Sequence, residues 1–213
     1  EAGDALVGGT WWPALRATER APEELRARAT LVRLFLLGAV EPEDAVTQAF
    51  SPLTPEALVT QGVLAVADGG YRAAIDIRPH SSDDRDFLVV SDQDALLRDG
   101  RLEHDHVLGI GGASMSLAQA VVRTPVRRAL DLGTGCGIQA LHLDSHCEEL
   151  VATDTNVRAL ALAAVTARLN GMDWDLREGS LFEPVAGERF DLIVANPPFV
   201  VGAGAQDYIY RDS

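Results

Sequence analysis

The sequence predicts an α/β protein with a helical first part and a doubly wound parallel sheet in its second part. From Gly112 onward, short apolar strands alternate with helical segments, a spacing typical of parallel β–α–β units. The earlier residues instead read as short helices followed by a hairpin. We therefore predict an N-terminal helical domain over residues 1–100 and a second domain over residues 101–213.

The N-terminal part combines helix-start signals with a hairpin pattern. Helices are predicted to begin near Pro22, Pro42 and Thr54. Residues 63–67 and 71–77 read as two strands around a glycine turn, with Ile75 and Ile77 alternating with polar residues. Helices followed by such a hairpin match the order of a winged-helix-like module, but we favour a helical cap that only packs on the next domain or shapes its pocket, because no basic cluster is visible here.

The second part contains the elements of the predicted sheet. A short strand at 87–90 precedes the boundary, and Ser114 or Ser116 is expected to cap the first helix after it. Four strands are predicted at 129–132, 150–153, 174–178 and 190–195, with helices at 138–146 and from Asn156 to Asn170.

Composition limits the classes of partner. The 213 residues are 47% hydrophobic and carry a formal net charge of −14, which repels phosphate backbones and disfavours a large nucleic-acid footprint. Two cysteines offer no disulfide framework and are typical of a reducing cytoplasm. The longest apolar stretch is too short to span a bilayer, so no membrane partner is expected. His142 and His146 are interpreted as a solvated helix face, and no metal site is predicted.

A glycine-rich loop predicts a nucleotide-like ligand. Asp131 ends a buried strand, and glycines at 133, 135 and 137 let the backbone turn sharply and approach a ligand. Asp154 ends the next strand, about 20 residues after Gly135, where a carboxylate can accept both hydroxyls of a ribose. The loop also satisfies the looser dinucleotide pattern, but Asp131 disfavours a nearby pyrophosphate.

A second motif, Asn196-Pro197-Pro198-Phe199, follows the fourth strand and indicates a clamp for a planar nitrogen. The Asn196 side-chain oxygen and the Pro197 carbonyl can each accept one N–H bond from an amide or amino group. The two prolines stiffen the turn, and Phe199 can stack on a flat substrate group.

Together and in this order, the two motifs resemble the class I S-adenosylmethionine-dependent methyltransferases, in the NPP(F/Y) subgroup that methylates amide or amino nitrogens. The resemblance covers about Val107 to Phe199 and implies a Rossmann-like fold, S-adenosyl-L-methionine as cofactor and Asn196 facing the methyl group. It implies that Asp131 helps to position the methionine ammonium. Cofactor contacts are expected from Asp131, Gly133, Thr134, Gly135, Gly137, Asp154, Asn156, Ser180, Leu181 and Ser114, and catalytic contacts from Asn196, Pro197, Pro198 and Phe199.

The sequence departs from the family in two places. Ser180 stands where these enzymes often carry Asp or Asn, and its hydroxyl reaches less far toward an adenine amino group. The family sheet has seven strands, whereas this sequence stops soon after the fourth, at Ser213. We expect the remaining strands to come from absent C-terminal residues or from a partner chain, because an open sheet edge is usually avoided.

The favoured function is N-methylation of a protein glutamine side chain, as in the release-factor glutamine methyltransferases. The main alternative is methylation of a nucleobase amino group in ribosomal or transfer RNA, which a winged N-terminal module would favour. A non-catalytic cofactor- or nucleic-acid-binding module and a dinucleotide-dependent oxidoreductase remain further alternatives. The expected location is the cytoplasm.

Overall fold

The computed structural model describes residues 11–82, 85–94 and 103–197. These residues group into two compact units, one drawn from Glu1–Arg78 and Gln93–Asp99 and the other from Pro79–Asp92 and Gly100–Ser213. The domain boundary near residue 100 stays a prediction.

The first unit consists of short helices and a hairpin. Its core contains buried Leu34, Val46, Leu58 and Leu64. The start of one helix follows local chemistry, because the Thr54 side chain accepts a hydrogen bond from the Ala57 amide at 3.2 Å. The elements are α1 Trp12–Glu19, α2 Arg26–Leu31, α3 Glu43–Phe50, α4 Pro55–Thr60, β1 Leu64–Ala67 and β2 Gly70–Ala73, with a 3₁₀ turn at Glu23–Leu25 and a π turn at Val32–Leu36.

The hairpin differs from the sequence-based expectation. β1 pairs antiparallel with β2, but β2 ends at Ala73, and a new strand, β3 Ile75–Ser82, pairs with β4 Arg85–Asp92. The expectation that 71–77 forms one strand is therefore wrong, whereas the short strand predicted at 87–90 is present as part of β4. Asp76 is buried, which reverses the expected alternation. Burial raises the pKa of Asp76 to about 6, although Arg78 lies against it.

The second unit is built on a four-stranded parallel sheet. Its strands lie in the order β7 (Asp175–Glu178), β6 (Cys147–Asp154), β5 (Val126–Leu132) and β8 (Leu192–Ala195), so the first strand of the sheet lies in the middle and the fourth lies beside it. This confirms the predicted Rossmann-like arrangement. The elements are α5 Gly112–Ala120, β5 Val126–Leu132, α6 Ile138–Asp144, β6 Cys147–Asp154, α7 Val157–Leu169, β7 Asp175–Glu178 and β8 Leu192–Ala195, with a 3₁₀ turn at Glu183–Val185.

The central strands are apolar because they are covered on both faces. Leu130 of β5 and Val151 of β6 are buried with Val185, and Leu132 and Phe190 pack against them. Asn156 caps α7, as predicted, by accepting a hydrogen bond from the Arg158 amide at 2.9 Å. α5 begins after Gly111 without a side-chain cap, so the expectation that Ser114 or Ser116 caps it is wrong.

β4 is tied to α7 by side chains that replace sheet partners. The Val90 amide donates to the Thr166 hydroxyl at 3.1 Å, and Asn170 both accepts from the Leu88 amide and donates to the Leu88 carbonyl. These bonds satisfy backbone groups that would otherwise be unpaired. Across the described part of the chain, no helix has both the length and the apolar character to cross a membrane.

An ion pair between the partly exposed Arg158 and the buried Asp92 fixes the end of β4. Arg158 donates through Nε and Nη2 to the Asp92 carboxylate, whose side chain is only 2% exposed, and Asp92 also accepts from the Val107 amide at 2.8 Å. Burial alone would raise the pKa of Asp92, but these hydrogen bonds and the charge of Arg158 outweigh it, so the pKa lies below its ordinary value.

Arg158→Met should destabilise the protein because it leaves Asp92 charged, buried and without its cation. Since the Arg158 side chain is 40% exposed, solvent screens part of the loss, and we expect about 2 kcal/mol at pH 7. The pair contributes stability above the unfolded-state pKa of Asp92, about 3.9, so the penalty should shrink as pH falls below that value.

Urea unfolding of the variant at pH 7 and pH 3.5 measures this effect. Arg168→Met, an exposed position on the same helix, is the matched control and should change the free energy of unfolding little. An equal penalty at both pH values would contradict the assignment.

Candidate active site

The register of the sheet brings three strand ends to one edge. Leu132 at the end of β5 is paired with Thr153 of β6 on one side and with Ala195 of β8 on the other. Because these strands are parallel, the residues that follow them emerge together at the carboxyl edge, where open α/β sheets bind ligands. Gly133 and Asn196 therefore lie on the same edge of the sheet.

The loop after β5 is held by the neighbouring strand. The amides of Gly133 and Thr134 both donate to the Thr153 carbonyl at 2.9 Å. Gly133 and Gly135 have positive φ, and a Cβ at either would meet no protein atom within 4 Å. At these two positions glycine is required by backbone conformation rather than by packing.

At the third position of the loop, Gly137, glycine is required for a different reason. Gly137 also has positive φ, but a Cβ there would lie 2.7 Å from the ring of Trp174. Trp174 is itself buried and donates its indole N–H to Asp144 at 2.9 Å, which prevents it from moving away easily. Gly137 therefore serves the packing of α6.

Asp154 fastens the loop to the start of α7. One carboxylate oxygen accepts from the Gly135 amide and the other from the Asn156 amide, each at 2.9 Å. Each oxygen keeps a second lone-pair direction, so the group can still accept a ligand hydroxyl. The Asp154 carbonyl also accepts from the Gly179 amide, which brings the segment after β7 to this edge.

Asp131 is fully buried beneath the loop. Its Oδ2 accepts from the Thr134 hydroxyl at 2.7 Å and from the Ala140 amide at 3.1 Å, whereas Oδ1 has no hydrogen-bond partner. Burial raises the pKa of Asp131 to about 6; the two hydrogen bonds oppose this shift and the charge of Asp154 adds to it. An unpaired buried carboxylate oxygen suits a cationic donor.

The segment after β7 carries an unusual backbone. Ser180 and Leu181 are both exposed, Leu181 to 67%, and Leu181 has a φ of 48°. A branched side chain on a left-handed backbone is strained, and such strain concentrates at ligand sites. The predicted roles of both residues stay predictions.

The Asn196 side chain contacts α5. Its Nδ2 donates to the Ser114 hydroxyl at 3.3 Å, and the Ser114 carbonyl accepts from Gln139 Nε2 at 2.7 Å. The exposed Pro197 follows directly. Pro198 and Phe199, the other half of the predicted clamp, lie outside the described residues. Their roles, like those of Asn196 and Pro197, stay predictions.

The Asn156 side chain is hydrogen-bonded to other parts of the protein. Its side-chain oxygen caps α7, and its Nδ2 donates to the Asp105 carbonyl at 2.8 Å. The expected cofactor contact of Asn156 stays a prediction.

Sequence reasoning missed Gln139 and Thr153. Gln139 is buried among apolar residues at the start of α6, and such a buried polar position is the signal that would have found it. Thr153 acts through its carbonyl, which no side-chain pattern reveals.

His142 is buried rather than solvated. Its Nε2 lies 3.0 Å from His80 Nε2, so the interpretation of this helix face as solvated is wrong at His142. Within 11–82, 85–94 and 103–197, no group of three or more His, Cys, Asp or Glu side chains is arranged to hold a metal ion.

Two family models match the chain. The methyltransferase small domain matches residues 109–212, and a domain of unknown function (DUF7059) matches residues 1–74.

Similar proteins are named as methyltransferases of translation components. A release factor glutamine methyltransferase of Xylella fastidiosa is 46% identical over 79 residues, which cover 35% of this chain and 28% of that protein. A ribosomal protein uL3 glutamine methyltransferase of Xanthomonas campestris is 42% identical over 94 residues, 40% of this chain and 30% of that protein. A ribosomal RNA small subunit methyltransferase C of Salmonella arizonae is 36% identical over 93 residues, 43% of this chain and 27% of that protein. The matched stretches thus span less than a third of these relatives.

Among solved structures, a 16S rRNA methyltransferase (RsmC) of T. thermophilus, in complex with AdoMet and guanosine, superimposes with a TM-score of 0.51 at 21% identity. The match covers 75% of this chain and 45% of that chain, and at this identity it supports the fold alone. The shared fold, the family match and the named relatives confirm the resemblance stated from the sequence. Residues 109–212 match the model of the methyltransferase small domain family, and this part of the chain is similar to S-adenosylmethionine-dependent methyltransferases.

Proposed function

We propose that the protein is an S-adenosylmethionine-dependent N-methyltransferase that acts on a planar amide or amino nitrogen, with a protein glutamine side chain as the favoured acceptor. The observation that carries this proposal is the pairing of Leu132 with Ala195. It sets the glycine turn and Asn196 beside each other, so that a donor group and an acceptor nitrogen can meet at one edge of the sheet.

The residues present fit the cofactor. Asp131 Oδ1 is a buried acceptor without a partner, which suits the methionine ammonium, directly or through water. Asp154 retains lone pairs for ribose hydroxyls, and the exposed Leu181 offers an apolar surface for a flat base. When bound, S-adenosylmethionine supplies a methyl group activated by a positively charged sulfur.

The clamp acts on the acceptor nitrogen. An amide nitrogen is a poor nucleophile because its lone pair is conjugated with the carbonyl group. As this nitrogen attacks, it gains positive charge and its N–H groups become stronger donors. Acceptors at Asn196 Oδ1 and the Pro197 carbonyl therefore stabilise the transition state more than the ground state. Pro197 also restricts Asn196 to an extended backbone, which limits the orientations of its side chain.

The choice of a protein acceptor rests on charge and on the relatives. A net charge of −14 opposes the phosphate backbone of RNA. The two glutamine methyltransferases named above share the highest identities among the relatives described. A nucleobase amino group is the second candidate, favoured by the 36% identity to an rRNA methyltransferase. The two cysteines of the sequence offer no disulfide framework, which is typical of a reducing compartment, and we propose that the protein is cytoplasmic.

Methyl transfer to defined acceptors tests the choice. The full-length protein is incubated with labelled S-adenosylmethionine and, separately, an unmethylated recombinant release factor, ribosomal protein uL3 and 16S rRNA. We expect label on a protein glutamine. Label on RNA alone would favour the second candidate, and transfer to none of the three would contradict the proposal.

Asn196→Ala should lower kcat at least about 100-fold, because one transition-state acceptor is lost. The affinity for S-adenosylhomocysteine, measured by calorimetry, should stay within about twofold, because the clamp faces the acceptor rather than the cofactor. Gln48→Ala, which removes an exposed amide on α3, is the control and should leave both unchanged. Unaltered turnover in Asn196→Ala would refute the clamp.

The affinity for S-adenosylhomocysteine should depend on the protonation of Asp131. Below its pKa of about 6, Asp131 is neutral and loses its attraction for the ligand ammonium, so the Kd should rise up to about tenfold per pH unit. Above that pKa the Kd should level off. Calorimetry between pH 5 and pH 8 measures both regimes.

Two variants isolate this effect. Asp131→Asn should bind more weakly at pH 8 and show little pH dependence, whereas Asp173→Asn, at an exposed position, should behave like the wild type. A wild-type Kd that is constant from pH 5 to pH 8 would exclude Asp131 as the partner of the ammonium.

A further inference from the structure

Ser114 links the two halves of the candidate active site. It lies in the first turn of α5, and its hydroxyl accepts a hydrogen bond from Asn196 Nδ2 at 3.3 Å. Its own carbonyl accepts from Gln139 Nε2 at 2.7 Å. A hydrogen-bonded path therefore runs from the start of α6, directly after the glycine loop, through α5 to the residue that follows β8.

The anchor of this path is rigid. Gln139 is only 3% exposed and belongs to the first turn of α6. The next residue, Ala140, donates its amide to the buried Asp131 at 3.1 Å. Gln139 and Ala140 are thus both held in place. Gln139 can therefore fix the backbone of Ser114 and with it the position of the Ser114 hydroxyl.

In the structure, the bond to Ser114 uses the Nδ2 end of the Asn196 amide. The two ends of an asparagine amide have nearly the same shape, and the torsion that exchanges them is broad and roughly two-fold. When Nδ2 donates to Ser114, Oδ1 is left to accept from another group. In the opposite orientation, Nδ2 would face an N–H group of the methyl-accepting nitrogen. Both groups are hydrogen-bond donors, so they would oppose each other.

We infer that Ser114 is a positioning residue for Asn196: its hydroxyl holds the amide in the orientation that presents Oδ1 to the methyl-accepting nitrogen. This inference rests on the proposed function and deepens it. It gives Ser114 a task at the acceptor side, in place of the cofactor contact that the sequence predicts for this residue.

Measurements of kcat and cofactor affinity in a Ser114 variant test the inference. Ser114→Ala should lower kcat about fivefold, the equivalent of one net hydrogen bond, while the Kd for S-adenosylhomocysteine stays within about twofold. Ser114→Thr keeps a hydroxyl and should restore most of the lost kcat. Ser116→Ala makes the same substitution at an exposed position of the same helix and should match the wild type. The acceptor in these assays is the unmethylated release factor.

Two kinetic outcomes would overturn the inference. Wild-type kcat in Ser114→Ala would show that the hydroxyl does not orient Asn196. A loss of S-adenosylhomocysteine affinity equal to the loss of kcat would show that Ser114 acts on the cofactor instead.

A measurement without any acceptor separates this inference from the proposed function. The side-chain amide protons of Asn196, identified by ¹⁵N NMR from their disappearance in Asn196→Ala, should shift and exchange faster with solvent in Ser114→Ala but not in Ser116→Ala. Unchanged Asn196 resonances would refute the inference alone. A wild type that methylates no release factor, uL3 or 16S rRNA would instead refute the proposed function.

Discussion

The position of β5 between two parallel neighbours is the constraint on which the candidate site depends. Leu132 is paired on one side with Thr153 and on the other with Ala195, so the chain leaves all three strands at the same level. A shift by one residue would turn the following side chains to the other face of the sheet. The register therefore does more than stabilise the domain, because it decides which loops share an edge.

The carboxylates of Asp154 and Asp131 at this edge have different environments, so they differ in the hydrogen bonds that they can still accept. Asp154 accepts one backbone amide on each oxygen, which fixes the glycine loop to the start of α7. Asp131 lies deeper, has one oxygen without a partner and carries a pKa raised by burial. A buried charge of this kind costs folding free energy, and it becomes favourable when a cation reaches it. The unused oxygen and the raised pKa of Asp131 are the two properties on which its proposed role in ligand binding rests.

Prediction from sequence succeeded where local chemistry decides the outcome. Thr54 and Asn156 cap helices because their side chains reach the nearby backbone amides, and the spacing of the strands was enough to predict a parallel sheet. It was wrong at 71–77, where the alternation of Ile75 and Ile77 suggested one strand. There Ile75 begins a separate strand, β3, that pairs with β4, and Asp76 is buried. It was wrong again at His142, whose burial depends on His80.

The sequence alone determined the resemblance to a family, the glycine loop, the succession of strands along the chain and the position of Asn196 after the fourth strand, because each of these is read from local motifs and their order along the chain. Only the tertiary structure separated Gly137, which makes room for Trp174, from Gly133 and Gly135, which serve the turn. Only the tertiary structure joined Ser114, Gln139 and Asn196, because each of those contacts closes a long loop in the chain. Local propensity carries no information on such contacts, and packing around the sheet supplies it.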